Sequence, residues 1–335
     1  MTVINGIEID AIEYDTNLTK QAIANNEPID DTLHVVAVVS NPAMFARRFI
    51  LTKQFLRRME QESNVVVYVV ELAYGSQNFY ITDAKNPRHL QLRTEVALWH
   101  KENMINVGIR SLLPPKWKAV AWIDADVEFE SGTWALDTLK VLNGYKDVVQ
   151  VFSHCIDMEK DESAMRIFSG FGFQYDKKQT YSKDKTNYWH PGYAWAMTRK
   201  AYDRIGGLYE YGILGSGDNI MSLSILEQGL KGIHVESTDE YKESIVSFQT
   251  KMKTLRLGYV PGVIRHHYHG RKQDRKYTER WRILTDSFYN PREHLTKDAA
   301  GLIVPTASCP KGMITQIKEY FYARNEDDLT IFMEK

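Results

Sequence analysis

Asp124 and Asp126 stand two residues apart in WIDADVEFE, at the end of the apolar stretch 119–124 (AVAWID). In extended backbone, residues two apart point to the same side. Two carboxylates facing one point are hard oxygen ligands suited to Mg²⁺ or Mn²⁺. Such an ion would bridge a diphosphate and neutralise charge that builds on a leaving group. The competing reading is an acidic turn at a strand end, where Asp is common. Further along, HHYH supplies three imidazoles, His266, His267 and His269. Strand alternation would put His267 and His269 on one face and His266 with Tyr268 on the other. An imidazole beside carboxylates favours Mn²⁺ over Mg²⁺. A basic cluster follows: Arg271, Lys272, Arg275, Lys276, Arg280 and Arg282, with Tyr277 and Trp281 among them. Beside a diphosphate it reads as a loop closing over the ligand, and elsewhere as a solvated helix face.

A sheet must position these groups. Residues 34–40 (HVVAVVS), 65–71 (VVVYVVE) and 119–124 are continuous apolar runs rich in β-branched residues, as expected of strands buried on both faces. After the first run, Phe45, Phe49, Leu56 and Met59 recur at helical spacing. After the second, the spacing predicts a helix over 90–113, with Leu98, Ile105, Ile109 and Leu112 on one stripe and Pro114-Pro115 as the stop. Alternating strands and helices predict an α/β fold with a mostly parallel sheet and right-handed crossovers. Ligands of such sheets bind at the carboxyl ends of the strands, where Asp124 and Asp126 lie. Later strands are expected over 148–153, 166–175, 190–198 and 257–269, and helices over 200–205, 218–230, 275–284 and 313–324. Residues 174–187 read as a solvated loop.

Composition narrows the function. Among 335 residues, 42 Lys and Arg nearly cancel 43 Asp and Glu, for a net charge of −1. That balance argues against a duplex nucleic-acid binder, which needs a basic face. With 43% apolar and 25% charged residues, the chain is globular in character. Two cysteines, Cys155 and Cys309, make no disulfide framework, so a reducing, cytoplasmic setting is expected. No apolar stretch approaches the 18 or so residues of a membrane span. The acidic start MTVINGIEIDAIEYD lacks the pattern of a signal peptide. The expected organisation is an arm over 1–31, one domain over 32–284 (halves 32–130 and 131–284), and a helical extension over 285–335.

Five stretches in a fixed order resemble GT-A-fold glycosyltransferases, and most closely the metal-dependent β-1,4-galactosyltransferase type, in a soluble bacterial or viral form. They are KENMINVGIRSLL (101–113), PKWKAVAWIDADVEF (115–129), HPGYAWAMTRKAYDRIGGLYE (190–210), GSGDNIMSLSIL (215–226) and IRHHYHGRKQDRKYTERWRIL (264–284). The resemblance implies a GT-A fold and transfer of a sugar from a nucleotide sugar, UDP-linked, to a glycan or other hydroxyl acceptor. It implies Mn²⁺, with Mg²⁺ as the alternative, held by Asp126 directly and by His269. Asp124 would sit on the ribose, or on the metal through water. Asp218 would be the general base of an inverting displacement, although Asp ahead of an apolar helix also reads as an N-cap. Ser40, Asn41, Pro42 and Glu71 end strands where a nucleoside would lie, and Arg93 and Lys101 are the basic residues placed for its diphosphate. Trp189, His190, Gly192 and Tyr193, with Gly215 and Gly217, would line the sugar and acceptor side. Aromatics at spacing two also read as core, which is the better reading of Trp195. Two rival functions remain: a metal-dependent nucleotidyltransferase and a non-catalytic carbohydrate-binding protein. Against the first, SNPAMFARRF after the first strand has no glycine-rich loop.

Overall fold

The computed structural model describes residues 2–4, 7–9, 32–144, 146–182 and 189–328. Most of the expected arm over 1–31 and part of the expected loop over 174–187 lie outside the described residues. Within the arm, Thr2–Ile4 pairs antiparallel with Ile7–Ile9.

The centre is a mixed α/β sheet of seven strands flanked by helices, which is the expected fold class. Strands β1 (Leu33–Ser40), β2 (Val65–Tyr74), β3 (His89–Thr94) and β4 (Ala119–Ile123) run parallel. Helix α1 (Ala46–Met59) joins β1 to β2, and α2 (Lys101–Leu112) precedes β4. A short β5 (Val127–Phe129) and helix α3 (Trp134–Gly144) lead to β6 (Val148–Gln150). The sheet continues through β9 (Ala194–Thr198), antiparallel to both neighbours, to β6 and β10 (Leu257–Tyr259). Its order is β10-β6-β9-β4-β1-β2-β3. A smaller sheet, β8-β7-β11-β5, is made by β8 (Ala164–Ser169), β7 (His154–Met158), β11 (Val263–His266) and β5.

Both faces of the large sheet are covered. Along β4, Val120 and Trp122 enter one apolar cluster while Ala119, Ala121 and Ile123 enter the other, the period of two that a strand imposes. Helix α2 seats closely on the first face because residue 108 is glycine. A Cβ there would come within 2.7 Å of Val70 Cγ2 and 2.9 Å of Val36 Cγ1.

Several expected elements differ. Residues 90–113 are not one helix: HLQLRT pairs parallel with β2 as an edge strand, and the helix begins only at Lys101. Alternating Leu90 and Leu92 carry a strand signal that the longer helical stripe hid. The strand expected over 166–175 ends at Ser169, and α4 (Phe171–Asp176) follows Gly170. The strand expected over 257–269 is broken at Pro261-Gly262, which sends β10 and β11 into different sheets. Over 275–284 the chain makes two short 3-10 turns and a four-residue helix rather than one helix. The remaining elements named below are α5 (Arg199–Ile205), α6 (Gly217–Ile225) and, in the C-terminal extension, a helix at Lys311–Ala323. That extension packs onto α2: Asn103 Oδ1 accepts from Ile303 N at 2.9 Å. Among the described residues, no helix is long and apolar enough to cross a membrane. Cys155 and Cys309 are buried free thiols.

Candidate functional site

A cavity of about 200 Å³ opens where β1 and β4 end, with Ser40, Asn41 and Pro42 on one side and Asp124 and Asp126 on the other. After Ile123 the chain turns: Asp124 N donates to Tyr193 O (2.8 Å) and Val127 N to Asp124 O (3.2 Å). The turn breaks the extended geometry that would point both acids to one spot, and it separates their roles.

Asp126 meets the histidines. β5 pairs antiparallel with β11 so that Val127 lies opposite His266, and His267 N donates to Asp126 O at 2.8 Å. This register brings the loop after β11 over Asp126. His269 Nε2 is 2.9 Å from Asp126 Oδ2, and His266 Nε2 is 3.7 Å from the same oxygen and 3.2 Å from His269 Nε2. The three residues offer ligand atoms within 4.8 Å of one another. Asp126 Oδ1 is buried without a hydrogen-bond partner. A buried polar atom left unpaired is costly, and a cation in this cluster would satisfy it. Burial works to raise the Asp126 carboxyl, but His269 and His266 outweigh it and hold the group well below the usual range. Two imidazoles and one carboxylate suit a first-row divalent ion such as Mn²⁺. His266 is oriented from behind, with Nδ1 2.8 Å from Asp157 Oδ1 on β7, which leaves Nε2 to face the cluster. His267 turns away to Glu128 (3.0 Å). Arg275 Nη2 lies 2.8 Å from His269 Nε2.

Asp124 faces Lys101 instead. The Lys101 ammonium bridges Asp124 Oδ1 (2.6 Å) and Asp218 Oδ2 (3.0 Å). Burial alone would lower the lysine, yet the two acids hold it well above its ordinary value. Burial raises the Asp124 carboxyl to about 6 despite Lys101, with Asp218 and Asp126 adding to the rise. Lys101, assigned from sequence to a diphosphate, therefore holds two acids together. Asp218 is not the N-cap of α6: Ser216 holds that place, and Asp218 lies in the first turn, where the helix dipole favours an anion. Gly215 has φ +100°. Gly217 sits against Glu102, whose Oε1 would be 2.2 Å from a Cβ at that position. A Cβ on Gly192 would be 3.8 Å from Asp218 Oδ2, so the two positions are adjacent.

The aromatic group divides. Tyr193 lines the cavity with φ +82°, a conformation unusual for a non-glycine residue. Its ring stacks on His190 (4.2 Å, 6°) and touches His266 (4.6 Å). Trp189 and Trp195 are buried core, the former edge-on to Phe171 at 5.1 Å.

Some expected ligand groups are occupied by the fold. The Glu71 carboxylate accepts from the backbone N–H groups of Tyr80 (2.8 Å), Ile81 (3.1 Å) and Thr82 (2.8 Å), so it organises the β2–β3 loop and is not free for a nucleobase. Arg93 stacks over Phe79 (4.9 Å) and donates to Gln77 O (2.9 Å) in that same loop. Neither residue lines the cavity. Asn41 braces the turn before α1, its Oδ1 accepting from Phe45 N at 3.0 Å. Ser40 Oγ pairs with the Tyr74 hydroxyl at 2.6 Å. Pro42 O accepts from the Tyr322 hydroxyl at 3.2 Å.

Sequence reasoning missed a second tier of residues. Arg48, Arg324 and Glu326 line the cavity, beside Arg275 of the basic cluster already noted in the sequence. Arg48 carried only the signal of a basic helix face, and Glu326 lies in the extension to which no chemistry was assigned. Burial works to raise the Glu326 carboxyl, while Arg48 and Arg324 prevail and hold it well below the usual range.

No protein-family model and no curated protein matches the sequence. Solved structures similar to the chain include Drosophila β-1,4-galactosyltransferase 7. A mutant of it in complex with manganese, UDP-Gal and xylobiose shares 10% identity at a TM-score of 0.34, over 59% of this chain and 62% of that one. The match therefore spans less than two thirds of that structure. Its catalytic domain in complex with xylobiose shares 9% identity at a TM-score of 0.38, over 85% of this chain and 98% of that one. A Desulfovibrio desulfuricans protein described as a nucleotide-diphospho-sugar transferase shares 11% identity at a TM-score of 0.30, over 70% of this chain and 81% of that one.

Proposed function

We propose that the protein is a metal-dependent glycosyltransferase of the GT-A kind, moving a sugar from a UDP-linked donor to a hydroxyl acceptor with inversion. The observation that carries the reading is the Asp126–His266–His269 cluster, with its unsatisfied carboxylate oxygen, at the carboxyl ends of parallel strands. Asp126, His266 and His269 would hold a divalent ion, Mn²⁺ before Mg²⁺, which when bound neutralises charge on the leaving diphosphate. Ser40, Asn41 and Pro42 form the wall for the nucleoside. Asp218 is the general base: Lys101 secures its Oδ2, and Oδ1 takes the proton from the acceptor hydroxyl as that oxygen attacks the anomeric carbon. Gly192 leaves room beside Asp218 for the acceptor, and Tyr193 offers a ring face to a sugar.

The test is product analysis with a panel of nucleotide sugars and Mn²⁺. UDP release and glycoside formation are expected, both abolished in Asp126→Ala with the fold retained. Asp218→Asn should lower turnover by roughly 10²–10⁴-fold, the usual worth of a positioned base. Pyrophosphate release would point to nucleotidyl transfer instead. Sugar binding with no turnover, or an Asp126→Ala variant as active as wild type, would overturn the proposal.

A further inference from the structure

The loop that carries His269 is clamped by the C-terminal segment 324–328. Tyr268, just before it, donates its hydroxyl to Asp328 Oδ2 at 2.9 Å. Just after it, Gly270 (φ +86°) packs so closely that a Cβ would lie 2.9 Å from Asn325 O and from Glu326 Cα. Asp327 fixes the segment to the start of α1, accepting from Ala46 N (3.0 Å) and Arg47 N (2.8 Å). Arg47 in turn donates to Tyr268 O at 2.9 Å.

At the centre of the clamp is Glu326, only 2% exposed. Its Oε2 accepts from Arg48 Nε at 2.9 Å, Arg48 Nη2 pairs with Oε1, and Arg324 Nε lies 2.9 Å from Oε1. The arginines thus fix the carboxylate in place. Its Oε2 stands 3.8 Å from His269 Nδ1, on the opposite edge of the ring from the Nε2 that meets Asp126. A carboxylate on that side favours the Nδ1–H form and turns the Nε2 lone pair toward the cluster, where Arg275 Nη2, 2.8 Å from Nε2 and 3.3 Å from Nδ1, would have to give way to a metal.

We propose that Glu326 is a positioning residue of the metal centre, acting through His269, and that residues 324–328 form the clamp that fixes the ring. The proposal rests on the metal-site reading above. It assigns the C-terminal extension a part in building the site.

Glu326→Gln in the full chain tests it, with free Mn²⁺ titrated by electron paramagnetic resonance and folding followed by circular dichroism. Mn²⁺ affinity should fall roughly ten-fold or more, the usual effect of removing such an outer partner. Glu326→Gln combined with His269→Ala should bind Mn²⁺ no more weakly than His269→Ala alone, because the effect travels through that ring. Unchanged affinity in Glu326→Gln, or full additivity in the double variant, overturns the proposal. Should Glu326→Gln not fold, Tyr268→Phe removes one clamp contact and should weaken Mn²⁺ binding roughly two- to five-fold, a fraction of the outer-partner effect. Unchanged affinity in that variant is equally fatal. Wild type that binds no Mn²⁺ would instead overturn the metal site itself.

Discussion

Replacing Lys101 by methionine tests whether the two acids beside the metal cluster are held as a unit. The ammonium lies 2.6 Å from Asp124 Oδ1 and 3.0 Å from Asp218 Oδ2. Methionine keeps most of the stem and its packing while removing the charge. The lysine side chain is 16% exposed, against 28% and 21% for the two aspartates, so the pair is neither dry nor freely solvated. Deleting one partner of a fully buried pair costs roughly 3–5 kcal/mol, and an exposed pair is worth roughly 0–1. The intermediate exposure places Lys101→Met at about 1–3 kcal/mol of lost stability. Thermal unfolding should show this as a fall of roughly 2 °C per kcal/mol in a chain of this size. Asp218→Asn removes one of the two stranded charges. The double variant should therefore lose less stability than the sum of the single changes. Turnover of Lys101→Met should fall roughly ten- to hundred-fold, since about 1.4 kcal/mol of lost positioning is tenfold in rate. Wild-type stability and turnover, or strict additivity in the double variant, would show that Lys101 does not hold these acids.

Two further changes probe the frame around the site. Burial, with Asp218 nearby, raises the Glu102 carboxyl from 4.5 to about 8, against the opposing pull of Lys101. The folded chain therefore keeps a proton that the unfolded chain has lost, and stability drains as pH climbs from 4.5 to about 8. Glu102→Gln cannot ionise, so its melting temperature should gain on wild type across that window; a pH-independent difference contradicts the assignment. Gly108→Ala sets helix propensity, worth about 1 kcal/mol in its favour, against overpacking onto Val36 and Val70, worth about 1–3 kcal/mol. A net loss of about 1 kcal/mol is expected in denaturant titrations, and a more stable variant would mean that α2 is not seated as closely as its contacts imply.

The three buried apolar runs were legible because parallel strands covered on both faces leave no polar alternation to confuse them, and β1, β2 and β4 appear where HVVAVVS, VVVYVVE and AVAWID stand. The edge strand β3 was not, because its short alternation of two leucines runs directly into the longer helical stripe that begins at Leu98. Spacing located Asp124 and Asp126 at a strand end but not their separate partners. Those follow from a turn after Ile123 and from the pairing of β5 with β11 some 140 residues downstream in sequence, a register no local pattern encodes. Glu71 shows the converse: a carboxylate at a strand end looks free in sequence, yet three backbone amides of a loop claim it. Glu326 was invisible because its importance comes from contacts with Arg48, Arg324 and the His269 loop, all distant along the chain except Arg324.

The central claim is met most directly by anomalous diffraction at the manganese edge from crystals soaked in MnCl₂. The account predicts one strong peak within bonding distance of an Asp126 carboxylate oxygen and of a ring nitrogen from each of His266 and His269. A map with no peak there, or with manganese bound only at surface acids elsewhere, would contradict it.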